Sequence, residues 1–222
     1  MRREVIAFFD VDHTISRRAT PLALVFELIR RGYVFWPYLL GVPLIFILYR
    51  LFSLEMDFIF SRTLPKLKGI SREEFDEIGR VAFERHLRGR LYIGALREIE
   101  ALRRNGIRVI LATSSPFEAV YPLAQYCGIG ADDVVCTQFS YTDGKFDGRL
   151  VGMPVFSRYK RDIIQTFIER SGTDEHFCSF FSDSVHDLPL LELVGHPVAA
   201  NPDWRLRRIA RRRGWTIKDF EK

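Results

Sequence analysis

Val5-Ile6-Ala7-Phe8-Phe9-Asp10-Val11-Asp12-His13-Thr14 is the stretch on which the fold turns. Its apolar half, Val5 to Phe9, is short and rich in β-formers, the pattern of a strand buried on both faces. That strand runs straight into two carboxylates two residues apart. Acids at the end of a buried strand are costly unless a cation or ligand uses them. Strand ends are also where ligands bind in open parallel sheets.

Similar apolar runs recur at Arg108–Ala112, Val134–Cys136, Phe177–Phe181 and Pro197–Ala200. Helical patterns lie between them. In Ala95–Arg104 the residues Leu96, Ile99 and Leu102 repeat at helical spacing, and Phe117–Tyr126, Arg161–Ile168, Leu188–Leu193 and Trp204–Arg211 also read as helices. Strands alternating with amphipathic helices predict an α/β fold, a parallel sheet covered on both faces in three Rossmann-like layers. Phe139–Leu150 breaks the alternation, with two β-prone stretches and Asp143-Gly144 as a hairpin turn. From Arg18 to Arg90 no clear strand is seen and the pattern is helical or apolar. This predicts a helical cap over 18–90, inserted after the first strand of a core made of 1–17 and 91–222.

The 222 residues are 47% apolar, 14% aromatic and 27% charged, which excludes disorder, collagen-like repeats and a disulfide-stapled miniprotein. A chain of this size buries a sizeable core without metal or disulfide. Its 33 lysines and arginines against 28 acids give a net charge of +5, a mild excess that favours anionic partners. Cys127, Cys136 and Cys178 lack metal-ligand spacing and suit a reduced, cytoplasmic setting. The apolar run at the N-terminus is too short for a signal-peptide core.

Further chemistry lies at the other strand ends. Thr113-Ser114-Ser115-Pro116 offers hydroxyls and amides ahead of a helix, a natural anion cradle. Ser182-Asp183-Ser184-Val185-His186-Asp187 is a second acidic strand end, and Lys160 precedes a helix between the two. Taken singly, these are a turn, an N-cap and a surface lysine. Together they bring acids, hydroxyls and a cation to one sheet edge.

The set resembles the haloacid dehalogenase-like hydrolases, in the branch that contains phosphoserine phosphatase. The family's DxDxT motif reads Asp10-Val11-Asp12-His13-Thr14, and its serine or threonine after a strand is matched by Ser114. Its lysine is matched by Lys160, and its (G/S)DxxxD motif by Ser182-Asp183-Ser184-Val185-His186-Asp187. The resemblance implies a Mg²⁺-dependent phosphomonoester hydrolase. Asp10 is then the nucleophile that forms an aspartyl-phosphate, and Asp12 the general acid and base. Mg²⁺ would be held by the Asp10 carboxylate, the Asp12 carbonyl and Asp183, with Asp187 behind it or joined through water. Ser114 and the Ser115 amide would bind phosphate, and Lys160 would offset the crowded negative charge. His186 stands where many relatives carry asparagine, and it too can donate to phosphate. A phosphomutase or phosphotransferase, or a membrane-docking adaptor with a vestigial site, remain alternative readings.

The cap bears on the substrate. The phosphoserine enzyme reads its substrate's ammonium with a glutamate shortly after the first motif. Here Ser16-Arg17-Arg18-Ala19-Thr20-Pro21 carries two arginines and no acid, which disfavours phosphoserine. Arg62 falls near the family's carboxylate-reading cap arginine. The expected substrate is a small organic phosphate or a phospholipid headgroup. Gly32–Tyr49 contains no charged residue and is flanked by Arg30, Arg31 and Arg50. Its length is at the lower limit for a membrane span. Asp10 precedes it, however, while Ser114, Lys160 and Asp183 follow, so one pass would strand Asp10 on the wrong side. The remaining options for 32–49 are a buried cap hairpin, peripheral contact with a membrane, or a homodimer contact. Arginines crowd the C-terminal helix from Arg205 to Arg213, suiting a solvated face or an anionic surface. No base-stacking motif accompanies them, and nucleic acid is not an expected partner.

Overall fold

The computed structural model describes residues 5–35 and 64–220. Most of the segment 32–49, together with Arg62, lies outside the described residues. No described helix is long and apolar enough to cross a membrane.

Strand β1, Ile6–Phe9, is wholly buried at the centre of a six-stranded sheet. The others are β2 (Arg108–Pro116), β3 (Val134–Thr137), β6 (Cys178–Ser182), β7 (His196–Ala200) and β8 (Thr216–Lys218). Their order is β3-β2-β1-β6-β7-β8, and every pairing is parallel. Phe9 lies opposite Leu111 on one side and Phe181 on the other. Winding runs outward from β1 in one direction and from β6 in the other. The crevice between their carboxyl ends is therefore the topological switch point where α/β folds bind ligands.

Alternation along β1 divides the core into two faces. Ala7 and Phe9 pack with Leu111 and Phe181 beneath α3 (Ile93–Arg104) and α4 (Phe117–Tyr126). Ile6 and Phe8 face Ile164 and Ile168 of α5 (Ser157–Arg170), Leu190 and Leu191 of α6 (Leu188–Leu191), and Leu206 and Ala210 of α7 (Trp204–Arg213). These are the three layers the alternation predicts.

Several boundaries differ from the sequence reading. Strand β2 continues through Pro116 rather than stopping at Ala112, with a register irregularity between those residues. Helix α5 begins at Ser157, so Lys160 sits inside its first turn rather than before it. Lys160, Ile164 and Ile168 form its buried stripe at four-residue spacing. A lysine heading that stripe hides the apolar signal. Strand β8 was not foreseen: it is three residues long, half-exposed and built from Thr216-Ile217-Lys218.

The segment expected to form the cap begins with α1 (Thr20–Arg30) and includes α2 (Arg72–Ala82), which Ser71 caps by accepting from the Glu74 amide at 3.2 Å. Helix α2 runs into a π-turn, Phe83–Leu87. The two linkers between cap and core lie side by side. The Arg17 amide donates to the Arg90 carbonyl at 2.9 Å, and the Tyr92 amide to the Ile15 carbonyl at 2.9 Å. The hairpin of β4 (Phe139–Thr142) and β5 (Lys145–Leu150) turns at Asp143 and Gly144, both at positive φ, as a type I′ turn requires. The sequence reading counts it with the core, yet its main chain bonds to the cap. The Phe146 amide donates to Ile70 and the Gly69 amide to Phe146, both at 2.8 Å. Phe139 and Phe146 complete an aromatic cluster around Phe75 with Leu24, Leu28 and Ile78. Burial of each such side chain contributes about 1.5–3 kcal/mol.

Cap and core meet where α2 crosses α4. A Cβ built at Gly79 would stand 1.8 Å from the Glu118 carbonyl oxygen. Gly79→Ala should therefore force the helices apart, at about 1–3 kcal/mol. The Tm should drop by about 2–4 °C per kcal/mol in a thermal melt. An unchanged melt would show that this crossing yields without cost.

Candidate active site

The switch point gathers side chains from three strand ends and one helix. Asp10 follows β1 directly, and its amide donates to the Phe181 carbonyl at 2.9 Å, fixing the turn out of the sheet. Lys160 reaches it from α5. The Lys160 Nζ donates to Asp10 Oδ1 at 2.8 Å and to Asp187 Oδ2 at 2.9 Å, and its side chain is only 3% exposed. Asp187 also accepts from the Ser182 hydroxyl at 2.7 Å. Asp187 thus anchors the lysine that grips Asp10. Burial disfavours a charged lysine, but Asp10 and Asp187 more than offset it and keep Lys160 protonated.

Asp12 has a different setting. Its Oδ1 accepts from the Thr20 amide at 2.7 Å and lies 2.9 Å from the Thr20 hydroxyl. Its Oδ2 accepts from the Ser115 hydroxyl at 2.8 Å, and the Thr20 and Ser115 oxygens are 2.7 Å apart. Thr20 is the first residue of α1. The carboxylate therefore sits on a helix N-terminus, where negative charge is favoured, and joins the cap to the core.

Asp183 follows β6, and its amide donates to the Thr14 hydroxyl at 3.0 Å. Burial, and then the charges of Asp10, Asp187, Asp12 and Asp203, push its carboxyl up to about 9. Burial likewise raises Asp10 to about 7, against the opposing pull of Lys160. Carboxylates outnumber cations here, and that imbalance is what a metal ion would relieve. Among the described residues no three His, Cys, Asp or Glu side chains converge on one point. Two carboxylates and one main-chain carbonyl, completed by water and phosphate oxygens, nevertheless suit Mg²⁺, which keeps much of its water and takes few protein ligands. The residues present fit the ion.

Two expected phosphate ligands sit differently. Ser114 is partly exposed, its carbonyl accepts from the Thr137 hydroxyl at 2.8 Å, and its own hydroxyl bonds to none of the described residues. The Ser115 amide, expected to face phosphate, instead donates to the Thr113 hydroxyl at 3.2 Å. His186 lies in a short turn where its amide donates to Ser184 at 3.2 Å and its ring stands 5.9 Å from Phe156. The sequence reading gave no role to Thr14, Thr20, Ser182 or Asn201. Asn201 donates to the carbonyls of His13 and Thr14 at 3.3 Å, bracing the loop after Asp12. A threonine ahead of Pro21 was a visible helix-start signal; its contact with Asp12 was not.

The family model for haloacid dehalogenase-like hydrolases matches residues 7–192. The chain belongs to that family. The protein named phosphoserine phosphatase SerB1 of Mycobacterium tuberculosis is 32% identical, over 96% of this chain and 70% of that protein. A histidinol-phosphatase of Neisseria meningitidis is 27% identical over 97% of this chain and 99% of its own. A solved structure of a protein of unknown function from Bordetella pertussis matches with a TM-score of 0.87 at 27% identity, covering 98% of this chain and 99% of that one. With its paired acids and hydroxyl-lined strand end, this hydrolase is a phosphatase of that family.

The raised carboxyls set a pH dependence in metal-free protein. The folded state holds protons on Asp10 and Asp183 that the unfolded chain gives up near pH 4. Where the folded state binds more protons, stability falls as pH rises. Melts in EDTA should therefore show lower Tm at pH 8.5 than at pH 5.5, the loss accruing between about pH 4 and 9. Saturating Mg²⁺ should remove most of that slope. An equal slope with and without the ion would count against metal at these acids.

Proposed function

We propose that this phosphatase hydrolyses a small phosphomonoester through an aspartyl-phosphate on Asp10, with Asp12 as acid and then base and Mg²⁺ as cofactor. The observation that carries this reading is the unequal treatment of the two acids. Asp10 Oδ1 is held by Lys160, while Oδ2 accepts from none of the described residues. That leaves Oδ2 to attack phosphorus. The bond from Oδ2 to phosphorus forms as the ester P–O bond breaks, and the proton on Asp12 passes to the departing oxygen. Water then attacks the phosphorus, Asp12 takes its proton, and Asp10 is restored. Asp12 accepts three hydrogen bonds. A carboxylate has about four lone-pair sites, so one remains for the proton in transit. Mg²⁺, held by Asp10, the Asp12 carbonyl and Asp183, would supply positive charge against the phosphoryl oxygens. Lys160 adds its charge on the same side, and the Ser114 hydroxyl is open to phosphate.

The substrate reading is a small organic phosphate or a phospholipid headgroup. Relatives are named for phosphoserine and for histidinol phosphate. Ala19 and Thr20 occupy the start of α1 without a carboxylate, and the nearest acid on that helix, Glu27, is buried and paired with Arg30 and His86. An ammonium-bearing substrate finds no counter-charge there.

Turnover of p-nitrophenyl phosphate with Mg²⁺ tests the chemistry. Asp10→Asn should abolish it, since an amide is no nucleophile. Asp12→Asn should cost about 10²–10⁴-fold on glycerol phosphate and much less on p-nitrophenyl phosphate, whose phenolate leaves unaided. Thr20→Ala should show the same bias at smaller size, because it loosens the grip on Asp12. Near-normal turnover by purified Asp10→Asn would sink the covalent route. A comparison of phosphoserine, histidinol phosphate, glycerol phosphate and lysophosphatidate tests the substrate class, and a strong preference for phosphoserine would overturn that part.

A further inference from the structure

A positively charged hollow, lined by none of the acids of the candidate active site, lies between α1 and the π-turn. Arg18, Phe26, Glu27, Arg30, Arg85 and His86 line a cavity of about 360 Å³. That is within the range of small-molecule sites, about 300–1,000 Å³.

Its floor is organised around one buried acid. The Glu27 side chain is 1% exposed. It accepts from Arg30 Nε at 2.7 Å and meets His86 Nε2 at 3.2 Å, with Arg85 Nη1 at 3.9 Å. Burial pushes Glu27 up, but these bonds and charges outweigh it and hold it ionised. One carboxylate thus faces two guanidiniums and an imidazole, and Arg18 adds a third guanidinium to the lining. Arg85 stands beyond hydrogen-bond reach of Glu27. The Arg18 guanidinium has no acidic partner among the described residues, and only its amide is engaged, with the Ser16 hydroxyl at 3.2 Å. With one acid against these cations, the excess like charges around the hollow repel one another and favour an anion between them. Guanidinium forks match phosphate oxygens in pairs. Phe26, its ring 5.8 Å from that of His86, adds an apolar wall.

The backbone is shaped to make this hollow. Arg85 and His86 lie on the π-turn Phe83–Leu87, a distortion found mostly as single turns at functional sites. Arg18 sits on the linker entering the cap, beside the returning one, where Arg17 bonds to Arg90. Arg30 and Glu27 belong to α1, whose first residue holds Asp12.

We propose that this cavity is a binding site for a small phosphate-bearing anion, separate from the centre at Asp10. Such a ligand would tie both linkers to α1. The proposal does not depend on the reaction at Asp10.

Histidine ring signals of isotope-labelled, Mg²⁺-loaded protein test it, with His86 assigned through His86→Gln. Inorganic phosphate and then phenylphosphonate, whose C–P bond survives ester hydrolysis, are the probes. The His86 signal should shift saturably. Arg18→Ala combined with Arg85→Ala should weaken the apparent Kd about tenfold or more, while Ser114→Ala should leave it unchanged. Phe26→Ala should erase the advantage of phenylphosphonate over phosphate. Circular dichroism checks folding of the double variant. Arg18→Ala alone, at an exposed side chain without an acidic partner, is the fallback and should itself weaken binding. The proposal is overturned if His86 does not move below about 10 mM probe. It is equally overturned if the shift survives both arginine substitutions, or vanishes with Ser114→Ala, since it would then report phosphate at the catalytic centre.

Discussion

Lys160 between Asp10 and Asp187 is the contact on which the rest of the site depends. All three side chains are nearly excluded from water. Removing one partner from such a buried set leaves an uncompensated charge at a cost of about 3–5 kcal/mol. The lysine can arrive only because α5 starts early enough to put it at the head of its buried stripe, above Ile164 and Ile168. Asp187 can receive it only because Ser182 and the turn after β6 hold that acid inward. The order of strands places β1 and β6 side by side, so acids far apart in sequence meet across one seam. Sheet topology and electrostatics are therefore one constraint.

The same seam explains why the acids differ. Asp10 is buried against a lysine and other carboxylates, and its carboxyl is raised to about 7. Asp12, two residues on, leaves the sheet and meets the cap. Its partners are an amide and two hydroxyls, and none of them is charged. One acid is tuned by burial, and then by charge, in the core; the other is oriented by a helix end. A Dx-D spacing achieves this because alternate residues after a strand need not share an environment once the chain turns.

Much of this was legible in the sequence. The alternation of buried strands with amphipathic helices fixed the layers, and four short motifs in order marked the strand ends that converge. What escaped has physical reasons. Strand β8 is short and half-exposed, and it takes its place by pairing with β7 rather than by its own composition. The start of α5 was hidden because a buried lysine, bonded to Asp10 and Asp187, occupies a position where the helical pattern calls for an apolar residue. The hairpin read correctly as a hairpin, but its allegiance to the cap rests on contacts between Phe146, Phe139 and Phe75 that are distant in sequence. Thr20 and Asn201 act through oriented single bonds, which leave no periodicity to find.

The cap's attachment has a mechanical consequence. It enters and leaves through paired linkers bound to each other at Arg17 and Arg90. It is held against the core again where Gly79 meets Glu118, and where the Thr20 and Ser115 hydroxyls both reach Asp12. Between these points lies Asp12, bonded to the first turn of α1. Rotation of α1 about the linkers cannot leave Asp12 undisturbed, because both of its oxygens are engaged by α1 or by the residue α1 touches. The helix that opens the cap and the helix that holds the Asp12 carboxylate are thus one. On the proposed reading of Asp12 as acid and base, a cap shifted by a poorly fitting substrate would misplace that acid as well, so discrimination need not rest on binding contacts alone.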